Sequence, residues 1–582
     1  MTRNTTVAIK KVSGYKYLVL VLVGMVILFA YYVLSGRSFL HVSAQDDKIN
    51  LLESGWNYMP GVLSKPDGLH VSHLGRAIVR QDGSGGQINP PINIYGTHLQ
   101  TSGSYTLHMT LKDIKGAAVI RLYDSLPVIQ DEFRVEPSSL ELKLVDNMAT
   151  VSIWSGYKNE KLSRQLPVKT TSYAVSPLET ARVTLSRQDD RITIDLNGKR
   201  LAVLPQNDLL KDRVWFGMSA ENPGDTWTLS QLEADASADT LAVNAENMEA
   251  YRKSNDALQV VASSTRPGFI VGAATALGPM VEDRRYAAIA LGGQFGQVTT
   301  ENVLKWQFIH PQPGVNDFRD ADAMVDMARK NDNLVHGHTL VFGEANPAWV
   351  QKLPSSTVDE KAYINQVMVD HITQTVGHFK GRVASWDVIN EPLADFGVAG
   401  SSGLRNHIWL KASGENYIAS AFMAAREADP RAKLYINEYG LESNGERWDT
   451  FLALVKKLKV QGVPIDGVGF QGHVYDSGDI INPDTLRSHI RELAELGLTS
   501  RISEMDVYSD GGTEVQAKQY ADVFNVCFTE PSCVSWSTWG VTDRYNFWQD
   551  ESGRLQHGRD FLWDEKYRPT AAVSAIRSMI HR

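Results

Sequence analysis

The sequence predicts a multidomain protein with an N-terminal transmembrane helix, an all-β sandwich of the jelly-roll type and a C-terminal α/β domain folded as a (β/α)8 TIM barrel. Three observations predict this order. An uncharged apolar run lies near the N-terminus, short alternating strands fill residues 49–234, and apolar strands then alternate with amphipathic helices. With 582 residues, the chain is too long for one ordinary domain.

The composition is that of a folded protein, with 43% hydrophobic and 21% charged residues. A net charge of -9 provides no basic surface, so nucleic acid is not expected as a partner. The two cysteines, Cys527 and Cys533, exclude a disulfide-rich scaffold and a multi-cysteine zinc site. They form either one small disulfide in an oxidising compartment or a pair of reduced core thiols. No metal site and no cofactor are predicted.

The first 34 residues predict a membrane anchor. Residues 1–16 carry four basic residues and no acidic one, and residues 17–34 carry no charge. A run of this length spans the hydrocarbon region as a helix, and its basic flank stays cytoplasmic. The rest of the chain is then exported, to the periplasm or the cell exterior. The alternative is a cleaved signal peptide with small residues at Val42-Ser43-Ala44 and a secreted protein, although the apolar run exceeds a typical signal core.

Residues 49–234 predict the β-sandwich. Alternating runs such as Tyr105–Leu111 and Arg191–Leu196 are typical of half-buried strands, and Asn197-Gly198 is a favoured hairpin turn. The segments Val214–Ala220 and Trp227–Leu232 loosely resemble the closing strands of a concanavalin-like sandwich. Aromatic faces stack on sugars, so a carbohydrate-binding role is open, although such residues more often fill a core. The aromatic candidates are Trp56, Tyr58, Trp154, Tyr157 and Trp227.

Residues 235–247 are small and polar and predict a linker, after which residues 248–582 predict the catalytic barrel. The eight predicted strands are Phe269–Thr275, Gln297–Asn302, Leu334–Phe342, Val383–Glu391, Leu434–Tyr439, Gly467–Val474, Ser500–Val507 and Ser535–Val541. The predicted helices between them include Asp320–Lys330, Asp359–Phe379, Tyr417–Ala428, Arg447–Gln461, Pro483–Leu496 and Val515–Phe528.

Polar side chains collect at the carboxyl ends of these strands, where α/β barrels place their chemistry. Glu391 ends the fourth strand just before Pro392, and it is predicted to be half of a catalytic carboxylate pair. Along the seventh strand Glu504 and Asp506 share one face, so a histidine of the sixth strand, His473, could bridge them. Two such carboxylates facing each other across a sugar ring can hydrolyse a glycosidic bond.

Tryptophans near the strand ends could hold the apolar faces of the sugar: Trp306, Trp349, Trp539 and Trp548. Glu438 also follows an asparagine at a strand end, and a structural role is favoured for it. His310 and His371 show no pattern beyond their placement in a loop or helix.

Six ordered motifs over residues 250–582 resemble those of glycoside hydrolase family 10, the retaining endo-β-1,4-xylanases. They are Glu301-Asn-Val-Leu-Lys305-Trp306, Gly337-His-Thr-Leu-Val341, Trp386-Asp-Val-Ile-Asn-Glu391-Pro392, Gly469-Phe-Gln-Gly-His473, Ile502-Ser-Glu504-Met-Asp506 and Trp539-Gly-Val-Thr-Asp543.

The resemblance implies that Glu391 is the acid/base and Glu504 the nucleophile. It also implies that His473 and Asp506 orient Glu504, and that Asn390 contacts the sugar beside the scissile bond. The implied polysaccharide contacts are Glu301, Asn302, Lys305, His338, Gln471 and Trp539. The cysteine pair falls where the family often has a disulfide, which supports export.

The chain departs from the family after the third strand, where Phe342-Gly343-Glu344-Ala345 replaces Trp-His-x-Gln. Near the C-terminus Phe547 stands at the usual tryptophan position, with Trp548 one place later. Phe342 and Trp548 are therefore predicted as altered substrate contacts. The alternative function is a non-catalytic glycan-binding or surface protein on a xylanase-like barrel, but such a protein would have little reason to keep both carboxylates.

Overall fold

The computed structural model describes residues 48–582 apart from short gaps, which are 53–56, 59–61, 73–75, 80–84, 89–92, 102–103, 125–127, 131–132, 137, 156, 160–166, 206–207, 223, 236–240, 244–249, 396–402, 475–479, 509–512, 550–554, 558 and 582. The basic segment and the predicted transmembrane helix at 17–34 lie outside the described residues. Within the described ranges, no helix combines the length and apolar character needed to cross a membrane.

The first part of the chain is all-β. Its strands are β1 Lys48–Asn50, β2 Asn57–Tyr58, β3 Val62–Lys65, β4 Gly68–Ser72, β5 Arg76–Val79, β6 Gly85–Ile88, β7 Asn93–Gln100, β8 Tyr105–Lys115, β9 Ala117–Tyr123, β10 Val128–Gln130, β11 Phe133–Glu136, β12 Ser139–Val145, β13 Met148–Trp154, β14 Tyr157–Asn159, β15 Lys169–Ala174, β16 Thr180–Gln188, β17 Arg191–Leu196, β18 Lys199–Leu204, β19 Arg213–Ala220, β20 Thr226–Asp235 and β21 Leu241–Val243.

Two antiparallel eight-stranded sheets dominate this part. One runs β18-β17-β16-β8-β20-β4-β3 with β1 beside β20, and the other runs β15-β13-β12-β9-β19-β7-β2 with β21 beside β7. Residues of both sheets, such as Leu107 and Leu122, belong to one hydrophobic core. The two sheets therefore face each other as a sandwich, and the jelly-roll topology stays a prediction. The predicted linker at 235–247 contains strand β21, because the apolar run Leu-Ala-Val extends the second sheet at β7.

The second part of the chain is a closed parallel barrel. The strands are β22 Ile270–Thr275, β23 Gln297–Thr300, β24 Leu334–Gly337, β25 Ser385–Asn390, β26 Lys433–Glu438, β27 Gly467–Phe470, β28 His473–Val474, β29 Thr499–Val507 and β30 Cys533–Thr538, followed by the hairpin β31 Phe547–Gln549 and β32 Leu555–His557. Pairing runs from β22 through β27, on to β29 and β30, and back to β22, which closes the barrel. All eight predicted barrel strands are confirmed, and the third is shorter than expected.

The helices are α1 Leu258–Thr265, α2 Leu277–Glu282, α3 Arg284–Leu291, α4 Trp306–Ile309, α5 Arg319–Lys330, α6 Ala348–Gln351, α7 Val358–His378, α8 Ile408–Ser413, α9 Asn416–Ala428, α10 Glu446–Val460, α11 Pro483–Glu495, α12 Thr513–Thr529 and α13 Ala571–Ile580, with a 3-10 turn at Asp543–Tyr545. The six predicted helices are confirmed to within two residues at each end. Local sequence explains the ends: Thr357 and Glu360 form a capping box at α7, and Pro483 opens α11.

The sandwich packs against the barrel through the outer face of its second sheet. Tyr123 and Trp215 are fully buried and belong to the hydrophobic cluster of the barrel, not to the sandwich core. The ring of His98 stacks on Trp215 with a centroid distance of 4.2 Å. Apolar burial of this kind stabilises the contact between the two folded parts.

Candidate active site

Glu391 and Glu504 lie at the carboxyl-terminal face of the barrel and share a hydrogen-bond network. Glu391 follows β25 directly, and Glu504 lies in β29. Gln471 touches both: its side-chain amide donates to Oε1 of Glu391 at 3.1 Å, and its carbonyl accepts from the amide of Glu504 at 2.9 Å. The topology therefore brings together two carboxylates that are 113 positions apart in the sequence.

Asn437, the last asparagine of β26, joins the two carboxylates from the other side. Its side-chain amide donates to Oε1 of Glu504 at 2.6 Å and to Oδ1 of Asn390 at 2.8 Å, and its carbonyl accepts from the amide of Glu391 at 2.8 Å. Asn390 in turn donates to Oε1 of Glu391 at 3.3 Å. Asn437 was not among the predicted site residues. Its position at the carboxyl end of a barrel strand was the sequence feature that could have indicated a place in the site.

The environment of Glu504 favours its ionised form. His473 lies between two carboxylates, with Nε2 3.2 Å from Oε2 of Glu504 and Nδ1 2.8 Å from Oδ1 of Asp506. Burial of Glu504 opposes ionisation, but the hydrogen bond from His473 and the charges of His338 and His473 outweigh it, and the pKa of Glu504 is lowered. The predicted bridge between the two carboxylates of the seventh strand is confirmed.

The environment of Glu391 has the opposite effect. Burial raises the pKa of Glu391, and the nearby carboxylates of Glu504 and Glu344 also raise it, against the charge of Arg405 and the hydrogen bond from Gln471. Its backbone φ of 51° lies in the left-handed region, which is unusual for a residue with a side chain. A carboxyl group with a raised pKa beside one with a lowered pKa is the arrangement required of a general acid and a nucleophile.

His338 and Asp387 support the floor of this site. Nδ1 of His338 lies 2.9 Å from Oδ2 of Asp387 and 3.9 Å from Oε1 of Glu504. Burial opposes ionisation of Asp387, but the charge and hydrogen bond of His336 and the hydrogen bond of His338 outweigh it, and its pKa is lowered. His338, Asp387 and Glu504 could offer three ligand atoms within 4.8 Å of one another. Asn437 already contacts Oε1 of Glu504, and His473 contacts Oε2. These three side chains therefore fit a hydrogen-bond network better than a cation site.

Three of the predicted glycone contacts are joined to one another after the second barrel strand. Lys305 donates to Oδ1 of Asn302 at 2.9 Å, and Asn302 donates to Oε1 of Glu301 at 3.3 Å. The half-buried ring of Trp539 lies 5.1 Å from the ring of His338, centroid to centroid. Trp539 is thus beside the hydrogen-bond network of Glu504, and its contact with the sugar stays a prediction.

The altered loop after the third strand, residues 342–345, is fixed by hydrogen bonds to the carbonyl of Phe342. Phe342 is half-buried, and its carbonyl accepts from Nε1 of Trp409 and from the side-chain amide of Asn346, both at 3.0 Å. Ala345 has a φ of 53°. Glu344, which was not predicted as a site residue, is half-exposed and points toward Arg405, with its Oε1 3.5 Å from the Nη1 of that arginine.

Two of the aromatic candidates, Trp306 and Trp227, are wrong because their side chains are buried. Trp306 is 3% exposed and is stacked between His371 and Trp409. This burial excludes Trp306 as a sugar platform. Trp349 is half-buried, packs on the barrel core and donates to the carbonyl of His310, and its role as a platform stays a prediction. In the sandwich, Trp227 fills the core. Trp154 is half-buried beneath the guanidinium of Arg121, while Trp56 and the side chains of Tyr58, Tyr157 and Trp548 lie outside the described residues.

Glu438 has a structural role, as favoured from the sequence. It is fully buried and accepts from the amide of Leu393 at 2.9 Å and from Arg447 at 2.7 Å. Burial raises its pKa to about 8, against the charge of Arg447. By binding Leu393, Glu438 holds the segment that follows Glu391. His310 and His371, which showed no pattern, bond to each other through their Nδ1 atoms at 2.7 Å.

The sulfur atoms of Cys527 and Cys533 are bonded at a sequence separation of six, at the junction of α12 and β30. The same loop is held by Arg266, whose guanidinium donates to the carbonyls of both cysteines at 2.8 Å. Sequence reasoning found the pair but not Arg266, which lies 261 positions before Cys527 and carries no motif.

The sequence pattern of glycosyl hydrolase family 10 matches residues 260–579. The chain is 36% identical to endo-1,4-beta-xylanase B of Thermotoga neapolitana over 294 residues. This alignment covers 49% of this chain and 81% of the relative. It is 38% identical over 297 residues to the beta-1,4-xylanase of Dictyoglomus thermophilum, 48% of this chain and 81% of the relative.

Solved structures agree with this match. Native xylanase 10B of Thermotoga maritima superposes with a TM-score of 0.51 at 34% identity, over 56% of this chain and 98% of that one. Xylanase 10B of Thermotoga petrophila, in complex with xylobiose, superposes with a TM-score of 0.51 at 33% identity, over 56% of this chain and 97% of that one.

Proposed function

The chain belongs to glycosyl hydrolase family 10, and from that premise we propose that this retaining glycoside hydrolase cleaves internal β-1,4 bonds of xylan or a related β-glycan. The observation that carries the proposal is that Glu391 and Glu504 share one hydrogen-bond network whose surroundings raise the pKa of Glu391 and lower that of Glu504. Environments that push two carboxyl groups apart in pKa assign the acid and the nucleophile. The relatives that support xylan as the substrate are named as xylanases, and one solved relative holds xylobiose.

The reaction proceeds by double displacement. In the first step Glu391 gives its proton to the glycosidic oxygen while an oxygen of Glu504 attacks the anomeric carbon, so the glycosidic bond breaks and an ester to Glu504 forms. In the second step the Glu391 carboxylate takes a proton from water, and that water attacks the anomeric carbon and releases Glu504. Asn437 binds Oε1 of Glu504 and His473 binds Oε2, so both oxygens of this carboxyl group are oriented before the attack.

The test compares wild type with Glu504→Ala and Glu391→Ala on xylan, mixed-linkage glucan and an aryl β-xylobioside. Glu504→Ala should lose at least a thousandfold in rate on every substrate. Glu391→Ala should lose xylan cleavage but release the good aryl leaving group in a burst, because protonation is then needed less than water activation. The matched control is Glu415→Gln on the outer surface. Equal sugar release by wild type and Glu504→Ala would show that the catalytic assignment is wrong, and no release by wild type would favour the non-catalytic alternative.

We also propose that the chain is tethered to the membrane with the barrel on the exported side. The support is the basic segment followed by the uncharged run at 17–34. N-terminal sequencing of the protein from cell fractions tests this, and a mature chain that begins at Gln45 would show cleavage instead.

For the sandwich we propose a polysaccharide-binding role. The support is its position on the same folded unit as a polysaccharide hydrolase and its half-buried Trp154. Affinity electrophoresis of Glu504→Ala in gels with and without xylan tests the proposal, with Trp154→Ala as the comparison. Equal mobility of both variants with and without xylan would contradict it.

A further inference from the structure

Arg405 is a buried cation that is bound to the segment carrying the acid/base. Only 4% of its surface is exposed. Its backbone amide donates to the carbonyl of Pro392 at 2.8 Å, and its Nε donates to the carbonyl of Leu393 at 3.4 Å. Its Nη2 donates to Oε2 of Glu391 at 3.1 Å and to Oδ1 of Asp395 at 2.8 Å. One arginine therefore contacts four of the five residues from Glu391 to Asp395.

The contacts to Glu391 define how its carboxyl group is presented. Arg405 takes Oε2, while Gln471 and Asn390 take Oε1 at 3.1 and 3.3 Å. With donors on both oxygens, the side chain has little freedom to rotate. A proton donor must lie within hydrogen-bond distance of the atom that it protonates, so this orientation bears directly on the first step of the reaction.

The charge of Arg405 is divided among three carboxylates. Besides Glu391 and Asp395, the half-exposed Glu344 places Oε1 3.5 Å from Nη1 of Arg405. An undivided cation beside Glu391 would favour its ionised form, which suits the second step but not the first. Glu344 stands in the loop where the sequence departs from the family pattern.

The other groups around Glu391 come from three further elements. Glu438 on β26 and Glu504 on β29 are carboxyl groups that interact with its charge, and Gln471 after β27 is neutral. Tyr439 binds Asp395 through its hydroxyl at 2.8 Å and so belongs to the same network. Among these described neighbours, Arg405 is the cation that contacts Glu391, which makes it the group whose removal should have the largest effect.

We propose that Arg405 is a positioning residue for the acid/base Glu391, and that Glu344 tunes it by sharing the same guanidinium. The inference rests on the proposed function, because it concerns the proton donor of that reaction. It predicts that two substitutions near Glu391 move its ionisation in opposite directions: loss of Glu344 gives Arg405 more influence on Glu391, and loss of Arg405 removes that influence.

The test is the pH dependence of kcat/KM on an aryl β-xylobioside for wild type, Glu344→Gln, Arg405→Met and Arg405→Lys, with Glu415→Gln as the remote control of equal charge change. The alkaline limb reports the loss of the proton from Glu391 in the free enzyme. Glu344→Gln should move it to lower pH by about half a unit, and Arg405→Met should move it to higher pH by about one unit. Arg405→Lys keeps the positive charge but loses the planar set of guanidinium donors. The alkaline limb of this variant should therefore stay near that of wild type, while kcat falls about tenfold.

The inference is overturned if Glu344→Gln and Arg405→Met shift the limb in the same direction, or if neither shifts it by more than the Glu415→Gln control. Because Glu344 is half-exposed, its variant decides the matter even if Arg405→Met does not fold, which thermal unfolding would reveal. If wild type itself does not cleave xylan or the aryl glycoside, it is the proposed function that fails and not the role of Arg405.

Discussion

The side-chain amide of Asn437 donates a 2.6 Å hydrogen bond to Oε1 of Glu504. The same amide donates to Asn390, which in turn donates to Glu391, so the residue couples the proposed nucleophile, Glu504, to the proposed acid/base, Glu391, from a third strand. Asn437 is fully buried, and each partner is held by other groups as well. Its substitution therefore tests the network without removing either catalytic carboxylate.

Replacing Asn437 by alanine should lower kcat by about 10- to 100-fold with little change in KM, because a hydrogen bond to a charged group is worth about 1.5–3 kcal/mol. Steady-state kinetics on xylo-oligosaccharides measure this. Asn437→Asp fills the same space but puts a carboxylate beside Glu504, which should raise the pKa of the nucleophile and move the acidic limb upward. Unchanged kcat in both variants would contradict the role assigned to Asn437.

Removing the imidazole of His473 should move the acidic limb of the kcat/KM profile to higher pH. The hydrogen bond and charge of His473 lower the pKa of Glu504 against burial, so the His473→Ala nucleophile should keep its proton to a higher pH. Asp506→Asn should have a smaller effect in the same direction, because it acts through His473 at 2.8 Å. An acidic limb that stays in place in His473→Ala would show that other groups keep Glu504 ionised.

Asp560→Asn should stabilise the protein at neutral pH but not at acidic pH. Burial and the charge of Asp506 raise the pKa of Asp560 from 3.8 to about 6, so the folded state binds this proton more tightly than the unfolded chain. The contribution to stability is then present below pH ~4 and is lost as the pH rises through about 6, by about 3 kcal/mol at most. Thermal unfolding at pH 4, 6 and 8 checks this, with the exposed Asp332→Asn as control. Equal differences in Tm at pH 4 and 8 would rule out the titration.

Loss of the disulfide should cost only about 2 kcal/mol of unfolding free energy, because bonding Cys527 to Cys533 closes a short loop. Arg266 holds the same loop through four carbonyls, so Cys527→Ser with Cys533→Ser should keep full activity at moderate temperature. Adding Arg266→Met should destabilise that double variant by more than it destabilises wild type. Thiol titration of the denatured, unreduced protein should find no free thiol, and finding two would refute the bond.

The regular elements of the barrel could be predicted from sequence because their signals are local. A buried parallel strand such as Ser385–Asn390 is a short apolar run, and a helix such as Val358–His378 carries its period and its cap within itself. The third strand was predicted too long, because apolar residues recur up to Phe342 while the regular strand ends at Gly337 and pairs again with its neighbour only at the isolated bridge between Val341 and Ile389. Apolar character does not report where a ladder ends.

Burial of single aromatic residues could not be predicted. Trp306 and Trp539 both lie near strand ends. Trp306 is nevertheless stacked between His371 and Trp409, whereas Trp539 is half-buried beside His338. Which face of a short helix or loop meets the cleft depends on neighbours that come from distant parts of the chain. The same reason hid Arg266 and Arg405, whose partners are backbone carbonyls and carboxylates without a motif.

The sequence by itself determined where Glu391 and Glu504 lie in the barrel, the order of the strands and the bridge from His473 to Asp506, because the place of a residue along a strand decides which end and which face of the sheet its side chain occupies. Only the tertiary structure decided how the carboxylates ionise. Three factors set these pKa shifts: the burial of both carboxyl groups, the part of the Arg405 charge that acts on Glu391, and the hydrogen-bond donors to Glu504. All three depend on distances across five elements of the barrel. Electrostatic energies change steeply with those distances and with access of water, and no local pattern in the chain encodes either.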